Sequence, residues 1–152
     1  MGFYAAYKAV FDAVKTALTY VPAGGEAPAG GVESLETVVL GEQFTLGGLP
    51  KAIINAEPAS VEPLEMGDTL RVKVNFSVVL VILEYEPADW FTDIIDVMGD
   101  VVDAVLADRT LGGAADDCVL TGFAPGEIKF KDRLFYGGVV RFRAEVWHAP
   151  GA

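Results

Sequence analysis

The sequence predicts an α+β fold: an antiparallel or mixed β-sheet of about four to five strands, a long central β-hairpin, and two main helices packed on one face. Two patterns predict this class. Asp68 to Tyr85 alternates apolar and polar residues, as a strand with two different faces requires. Residues 3–20 and 90–107 repeat apolar residues at helical spacing. The resulting order of helix, strands, helix, strands contains no repeats and is typical of α+β domains.

The N-terminal half begins with an amphipathic helix, predicted from about residue 3 to 20 and stopped by Pro22. Residues 23–34 are rich in Gly, Ala and Pro, which predicts a flexible loop. Thr37–Leu40 and Leu49–Glu57 predict two strands. Pro58 and Pro63 bracket another predicted loop.

The long strand from Asp68 to Tyr85 changes character along its length. The face that begins with Arg71 and Lys73 becomes apolar at its far end, through Val79, Val81 and Leu83. We therefore expect this end to be buried on both sides, either by the fold itself or by a neighbouring subunit. A strand this long also predicts a bend, a bulge or a protruding hairpin arm.

The C-terminal half predicts a helix from an Asp89 N-cap to about Ala107. Its broad apolar face, expected to be buried, includes Trp90, Phe91, Ile94 and Ile95. Gly112-Gly113 should end this region. A short strand at Val119–Phe123 and a closing strand at Gly137–His148 complete the predicted sheet.

Composition limits the functional classes. A chain of 152 residues fits a single domain, 1–152, with a short C-terminal tail at 149–152. Its formal charge of -11 disfavours a sequence-reading DNA-binding protein. The single cysteine excludes an internal disulfide framework. We expect no secretory leader and no membrane span, since the apolar run Val78–Leu83 is too short to cross a bilayer.

No catalytic motif is found. The sequence has no phosphate-binding Gly-Lys-Ser/Thr loop, no dinucleotide fingerprint and no His-Glu-x-x-His helix. We therefore predict neither an enzyme nor a bound cofactor or metal. Asp116 and Asp117 precede Cys118, but no histidine is near in sequence. A buried structural cysteine after a polar turn is the favoured interpretation.

Two sets of charged residues are candidate contact sites. An acidic row on the second helix comprises Asp93, Asp96, Asp100 and Asp103. It is a solvated face, a docking surface for a basic partner, or an acidic wall that keeps passing DNA from sticking.

A set of cations on two strands comprises Arg71, Lys73, Arg141 and Arg143. If the strands pair, this set is either a solvated face balanced by Glu145 or a basic patch that receives the acidic helix of the next copy.

A third charged segment is Gly126–Leu134, where Lys129, Lys131 and Arg133 alternate. Glu127 and Asp132 lie among these bases, so the segment is poorly suited to bind the phosphates of a nucleic acid. We interpret it as a surface strand or loop.

The region Trp90–His148 resembles the C-terminal half of the tail terminator (tail completion) proteins of long-tailed phages. The resemblance rests on a helix ending in Ala107-Asp108-Arg109-Thr110-Leu111-Gly112-Gly113, then a strand, a long loop and a closing strand. Leu49-Pro50-Lys51-Ala52-Ile53-Ile54, opening a strand after a variable loop, is also similar. In layout the resemblance covers nearly the whole chain.

The resemblance implies a structural virion protein of the tail or neck, located in the host cytoplasm during assembly. It implies a homo-oligomeric ring, commonly a hexamer, on the last ring of the tail tube. Such a ring ends tube polymerisation and offers its other face to the head–tail connector or head-closure protein. DNA passes through its lumen without specific binding, and ring closure buries Val79, Val81 and Leu83 between subunits.

Two alternatives remain open. One is another neck, head-completion or minor tail protein of the same fold. The other comes from a different class: a monomeric α+β enzyme or small-ligand-binding domain, which a deep pocket lined by Asp116, Asp117 and Cys118 would favour.

Overall fold

The computed structural model describes residues 2–26, 29–41, 48–64, 68–83, 90–130 and 132–149. The helices are α1 (Phe3–Leu18) and α2 (Trp90–Leu106), with a short 3-10 turn at Leu111–Gly113. The strands are β1 (Thr37–Leu40), β2 (Lys51–Ala56), β3 (Ser60–Pro63), β4 (Leu70–Leu83), β5 (Asp117–Phe130) and β6 (Arg133–His148). Within these residues the predicted α+β class is confirmed, with six strands rather than four to five.

The sheet is mixed and has the order β1-β2-β4-β6-β5. β1 and β2 run parallel, while β4 pairs antiparallel with both β2 and β6. Strand β3 continues the β2 side of β4, opposite Leu70 to Lys73. Between β2 and β3, the side-chain amide of Asn75 donates a hydrogen bond to the carbonyl oxygen of Pro58 (2.9 Å). β4 and β6 are thus both interior strands.

Both helices cover one face of the sheet, as predicted. Alternate residues of β4 and β6 form this face and pack with the buried sides of α1 and α2 into one apolar core. Phe76 and Phe142, one from each strand, stack with ring centroids 5.3 Å apart. Phe11 of α1 meets Phe76 edge-on at 6.1 Å. The apolar residues that alternate along the strands therefore pack against the apolar residues that repeat at helical spacing in α1 and α2, and together they form one layer of side chains.

Several predicted boundaries were wrong. The proline-bracketed loop contains strand β3, because Ser60–Pro63 pairs with β4. The short strand at Val119–Phe123 is only part of the 14-residue β5. A long hairpin is present, but β5 and β6 form it, so one arm is central and the other lies at the sheet edge. β4 carries a predicted irregularity, a register shift between Val81 and Leu83. Asp89 and Tyr85 lie outside the described residues.

None of the helices in the described part of the chain is both long enough and apolar enough to cross a bilayer.

Glycine at position 137 is required by the close approach of β4 and β6. A Cβ atom there would overlap the backbone carbonyl oxygen of Leu80, whereas one at Gly99 in α2 would meet open space. We expect Gly137→Ala to lower the free energy of unfolding by about 1–3 kcal/mol or more. The matched control Gly99→Ala should raise it by up to about 1 kcal/mol, because alanine favours an exposed helix interior. Urea unfolding followed by circular dichroism measures both; an unchanged midpoint for Gly137→Ala would contradict the close pairing.

Candidate functional site

The predicted acidic row lies on the solvent side of α2. Its members Asp93, Asp96, Asp100 and Asp103 are all exposed. The opposite side of the helix, including Ile94 and Val101, is buried in the core. The helix contains no lysine or arginine, so no cation within α2 offsets these carboxylates. The result is a one-sided acidic surface.

An open groove runs between the C-terminal halves of the two helices and the segment that follows α1. Its volume is about 1070 Å³, and small side chains such as Ala17 and Ala104 line it. Asp100, Asp103 and Glu33 also line it. No lysine or arginine contributes to the groove in the described part of the chain. Half of the acidic row therefore borders an acidic cavity; we call this the interhelical groove.

The predicted cations share the face of the sheet that the helices leave uncovered. The register of β4 and β6 places Lys73 opposite Glu145, and Arg143 opposite Asn75. Arg71 and Arg141 belong to the same two alternating rows. The structure thus brings all four together, as expected if the strands pair.

These cations are largely balanced by carboxylates within the chain. Glu62 of β3 pairs with Arg71, and one of its carboxylate oxygens lies 3.4 Å from the Lys73 ammonium. The hydrogen bond from Arg71, followed by the charge of Lys73, lowers the pKa of Glu62. Glu57 lies 3.2 Å from the Nε of Arg141. With Glu145 beside Lys73, three carboxylates face the four cations, so the surface is an ionic network rather than a basic patch.

Arg143 is the member of this network without an ion pair among the described residues. Its Nε atom is buried and has no hydrogen-bond partner there. The rest of the residue is only half-buried, so the charge keeps contact with solvent. One incompletely paired arginine is a weaker acceptor for an acidic helix than the four-residue patch that the sequence suggested.

The apolar end of β4 is covered by the fold itself at Val81, whereas the side chain of Leu83 lies outside the part of the chain that the structure describes. Val81 is 4% exposed and packs with Ile53 and Phe135 on the helix-free face. Val79 packs against the same cluster, and the backbone of Leu83 pairs with Tyr136. Of the two explanations that the sequence left open, burial within the chain accounts for Val81, which is not available to a second copy.

A surface that the sequence analysis missed lies on the helix-covered side of the β5 edge. Phe91, Leu134 and Phe123 expose 54%, 42% and 61% of their surface, and Ile95 is also exposed. Phe91 and Ile95 were expected to be buried, but they lie to one side of the buried stripe of α2, which runs through Ile94, Met98 and Val101. Phe123 lies opposite Val140, a core residue, which assigns it to the same face.

The direction of α2 places Phe91 and Ile95 toward the same end of the sheet as Leu134. Met98 approaches the backbone at Gly138, while Arg109, just beyond α2, donates from Nε to the carbonyl oxygen of Cys118 (3.3 Å). Since Cys118 lies opposite Ala144, α2 runs parallel to β6. Its first turns therefore point toward the β5–β6 turn, and Phe91 and Ile95 share the helix face of Met98. We call Phe91, Ile95, Phe123 and Leu134 the apolar edge patch.

The residues around Cys118 have structural contacts. Asp117 pairs with Arg109 at 2.8 Å, and a carboxylate oxygen of Asp116 accepts a hydrogen bond from the backbone N–H of Trp147 (2.7 Å). Cys118 itself is fully buried. Burial, followed by the charge of Asp117, raises its pKa to about 11, although Arg109 acts in the opposite direction. The arrangement joins the two arms of the hairpin and holds the thiol protonated.

The turn that carries the family resemblance is organised by Asp108. Its carboxylate accepts hydrogen bonds from the backbone N–H (2.9 Å) and hydroxyl (2.6 Å) of Thr110 and from the N–H of Gly112 (3.0 Å). Those bonds, the Thr110 hydroxyl first, lower the pKa of Asp108. Gly112 and Gly113 both have positive φ, which glycine adopts without strain. The turn is therefore a folding element that ends α2.

No group of three potential metal-ligating side chains occurs among the described residues. His148, the single histidine, ends β6 and meets the ring of Phe3 edge-on at 5.6 Å. The histidine just before the predicted C-terminal tail at 149–152 is therefore packed against α1.

Comparison with protein-family models gives no match for this chain. Comparison with curated proteins gives no significant relative.

The Cys118 environment leads to a prediction about pH. A raised pKa means that the folded protein holds the thiol proton more tightly than the unfolded chain does, so the stabilisation is complete below about pH 9 and is lost toward pH 11. We expect the free energy of unfolding to fall over this window more steeply for the natural protein than for Cys118→Ala. Denaturant titrations at a series of pH values measure the difference. Parallel profiles for the two proteins would contradict it.

Proposed function

We propose that this chain is a structural virion protein that forms a homo-oligomeric ring at the head-proximal end of a phage tail tube. There it ends tube polymerisation and joins the tail to the head connector. The basis is the sequence resemblance of Trp90–His148 and the α+β layout of two helices on one face of a mixed sheet. Another neck or minor tail protein of the same fold is the alternative.

The apolar edge patch is the observation that carries the proposal of assembly. Large apolar side chains grouped on a surface mark protein–protein contacts more often than scattered ones do. Here they lie beside β5, an edge strand whose backbone offers further hydrogen-bonding groups. Pro125 and the register shift between Leu120 and Gly122 interrupt that edge. Such interruptions restrict indiscriminate strand pairing, so side-chain contacts have to select the partner.

The charge distribution is consistent with a ring that passes DNA. The chain carries a formal charge of -11, and α2 presents its carboxylates to solvent with no cation in the helix. A surface of this kind repels phosphates. If α2 faced the lumen, DNA would slide past it without binding.

The residues considered for chemistry have structural partners instead. Asp117 holds Arg109, Asp116 holds the backbone of Trp147, and Cys118 is buried. The interhelical groove lies elsewhere and is not lined by these residues. These contacts favour a binding role over the monomeric enzyme or ligand-binding alternative.

Assembly is tested by replacing one residue of the patch. We expect the natural protein to elute as an oligomer in size-exclusion chromatography with light scattering, and to form rings in negative-stain electron microscopy. Phe123→Asp should shift it to monomer with an unchanged melting temperature, because Phe123 is exposed and a charge there opposes contact. Tyr4→Asp, an equally drastic change at an exposed aromatic on α1, is the matched control.

Tube termination is tested separately with the tail tube protein of the same virus. Adding the natural protein should shorten the polymerised tubes and place a ring at one end, whereas Phe123→Asp should leave tube length unchanged. A protein that stays monomeric at all concentrations and leaves tube length unaltered would refute the proposal and favour the monomeric class.

A further inference from the structure

The tip of the β5–β6 hairpin combines cations with an apolar side chain. Lys129 lies directly opposite Leu134, so both belong to the same face, and both are exposed. Lys129 makes no ion pair within the described residues. Arg133 follows at the turn, with its guanidinium 5.7 Å from the ring of Phe135. Residues 129–133 contain three of the eleven bases of the chain and one acid, Asp132.

The interhelical groove has the opposite character. Asp100, Asp103 and Glu33 line it without a cation in the described part of the chain, and its remaining walls are mostly small side chains. A second cavity of about 370 Å³ shares Ala17 and Ala104 with it and extends it toward Asp108. The groove is thus an elongated acidic depression with apolar walls, open to solvent.

We propose that the hairpin tip of one copy docks in the interhelical groove of a second copy. Leu134 would lie against the small side chains of the groove, and Lys129 would approach Asp100 and Asp103. This inference rests on the self-assembly put forward under the proposed function and assigns one contact of it, made by Lys129 and by Leu134 of the apolar edge patch.

The geometry of a single chain keeps its hairpin tip away from its own interhelical groove. Because α2 runs parallel to β6, its N-terminal turns lie near the hairpin tip, whereas the groove borders its C-terminal half. About 10 residues of helix separate Ile94 from Ala104, a distance of roughly 15 Å at 1.5 Å per residue. The tip therefore points away from the groove of its own chain.

In this contact the positive charge that faces the acidic helix comes from Lys129 of the hairpin tip and not from the cations of the sheet face. Arg71, Lys73 and Arg141 already have carboxylate partners within the chain, whereas Lys129 has no such partner among the described residues. Since tip and groove are different surfaces, each copy can donate one tip and accept another. Such a head-to-tail contact closes into a ring when its rotation allows and otherwise extends into a filament.

Charge exchange tests the contact. We expect Lys129→Glu to weaken self-association about tenfold or more, because it sets a carboxylate against Asp100 and Asp103. Asp103→Lys alone should weaken it similarly, by facing Lys129. Combining both substitutions in one chain should restore assembly. Lys8→Glu makes the same charge change at an exposed site of α1 and should leave association unaltered.

Site-specific crosslinking gives an independent readout. Variants with Lys129→Cys and with Asp103→Cys are mixed and treated with a short bismaleimide; the buried Cys118 should contribute little background. Crosslinked dimers should form in the mixture and not when Lys8→Cys replaces Lys129→Cys.

These experiments distinguish failure of the docking contact from failure of the proposed ring. If the natural protein assembles but neither Lys129→Glu nor the crosslinking pair has an effect, the docking contact is refuted while the ring proposal stands. If the natural protein does not assemble at all, both are refuted.

Discussion

The antiparallel pairing of β4 with β6 is the constraint on which the rest of the structure depends. Its register joins Leu70 to His148 at one end and Leu83 to Tyr136 at the other. On one face it stacks Phe76 on Phe142, and α1 reaches that pair through Phe11. On the other face it places Lys73 beside Glu145 and Arg143 beside Asn75. A slip of one residue would exchange these faces, sending phenylalanines to solvent and arginines into the core. The apolar alternation of β4 and β6 therefore fixes the core and the ionic network together.

Sequence reasoning succeeded where the signal is local and periodic. α1 and the core of β4 could be predicted because each repeats apolar residues with the period of its own secondary structure. β3 could not, since its four residues lie between prolines and become a strand only by pairing with Leu70 to Lys73. The predicted strand in β5 ended at Phe123, before Pro125 and Gly126, two residue types that usually interrupt strands. At a sheet edge a proline is tolerated, since its missing donor can face solvent, so the strand continues through them.

In the candidate site, too, the features that follow from local spacing could be predicted and those that depend on tertiary pairing could not. The acidic row follows from helical spacing alone, and its exposure on α2 agrees with that spacing. The apparent basic patch is different, because its neutralisation depends on Glu57 and Glu62, which reach the face through the non-local pairing of β2 and β3 with β4. Likewise, Phe91 and Ile95 satisfy the helical apolar pattern, but the pattern carries no information on where the sheet beneath the helix ends. Position relative to a sheet edge is a tertiary property.

Electrostatics then constrains how such a chain could associate. Copies that each carry a formal charge of -11 repel one another at long range. At physiological ionic strength this repulsion is screened over roughly 8 Å, whereas groups in contact are screened much less. Association therefore depends on short-range complementarity, in which an apolar surface excludes water and a local cation offsets the acidic partner. On this chain the exposed apolar residues extend to Leu134 and the adjacent cation is Lys129. The sheet face has cations as well, but transferring them to a partner would first break ion pairs with Glu57 and Glu62. Lys129 at the hairpin tip makes no ion pair with the described residues, so none has to be broken there, which makes it the more favourable donor of positive charge.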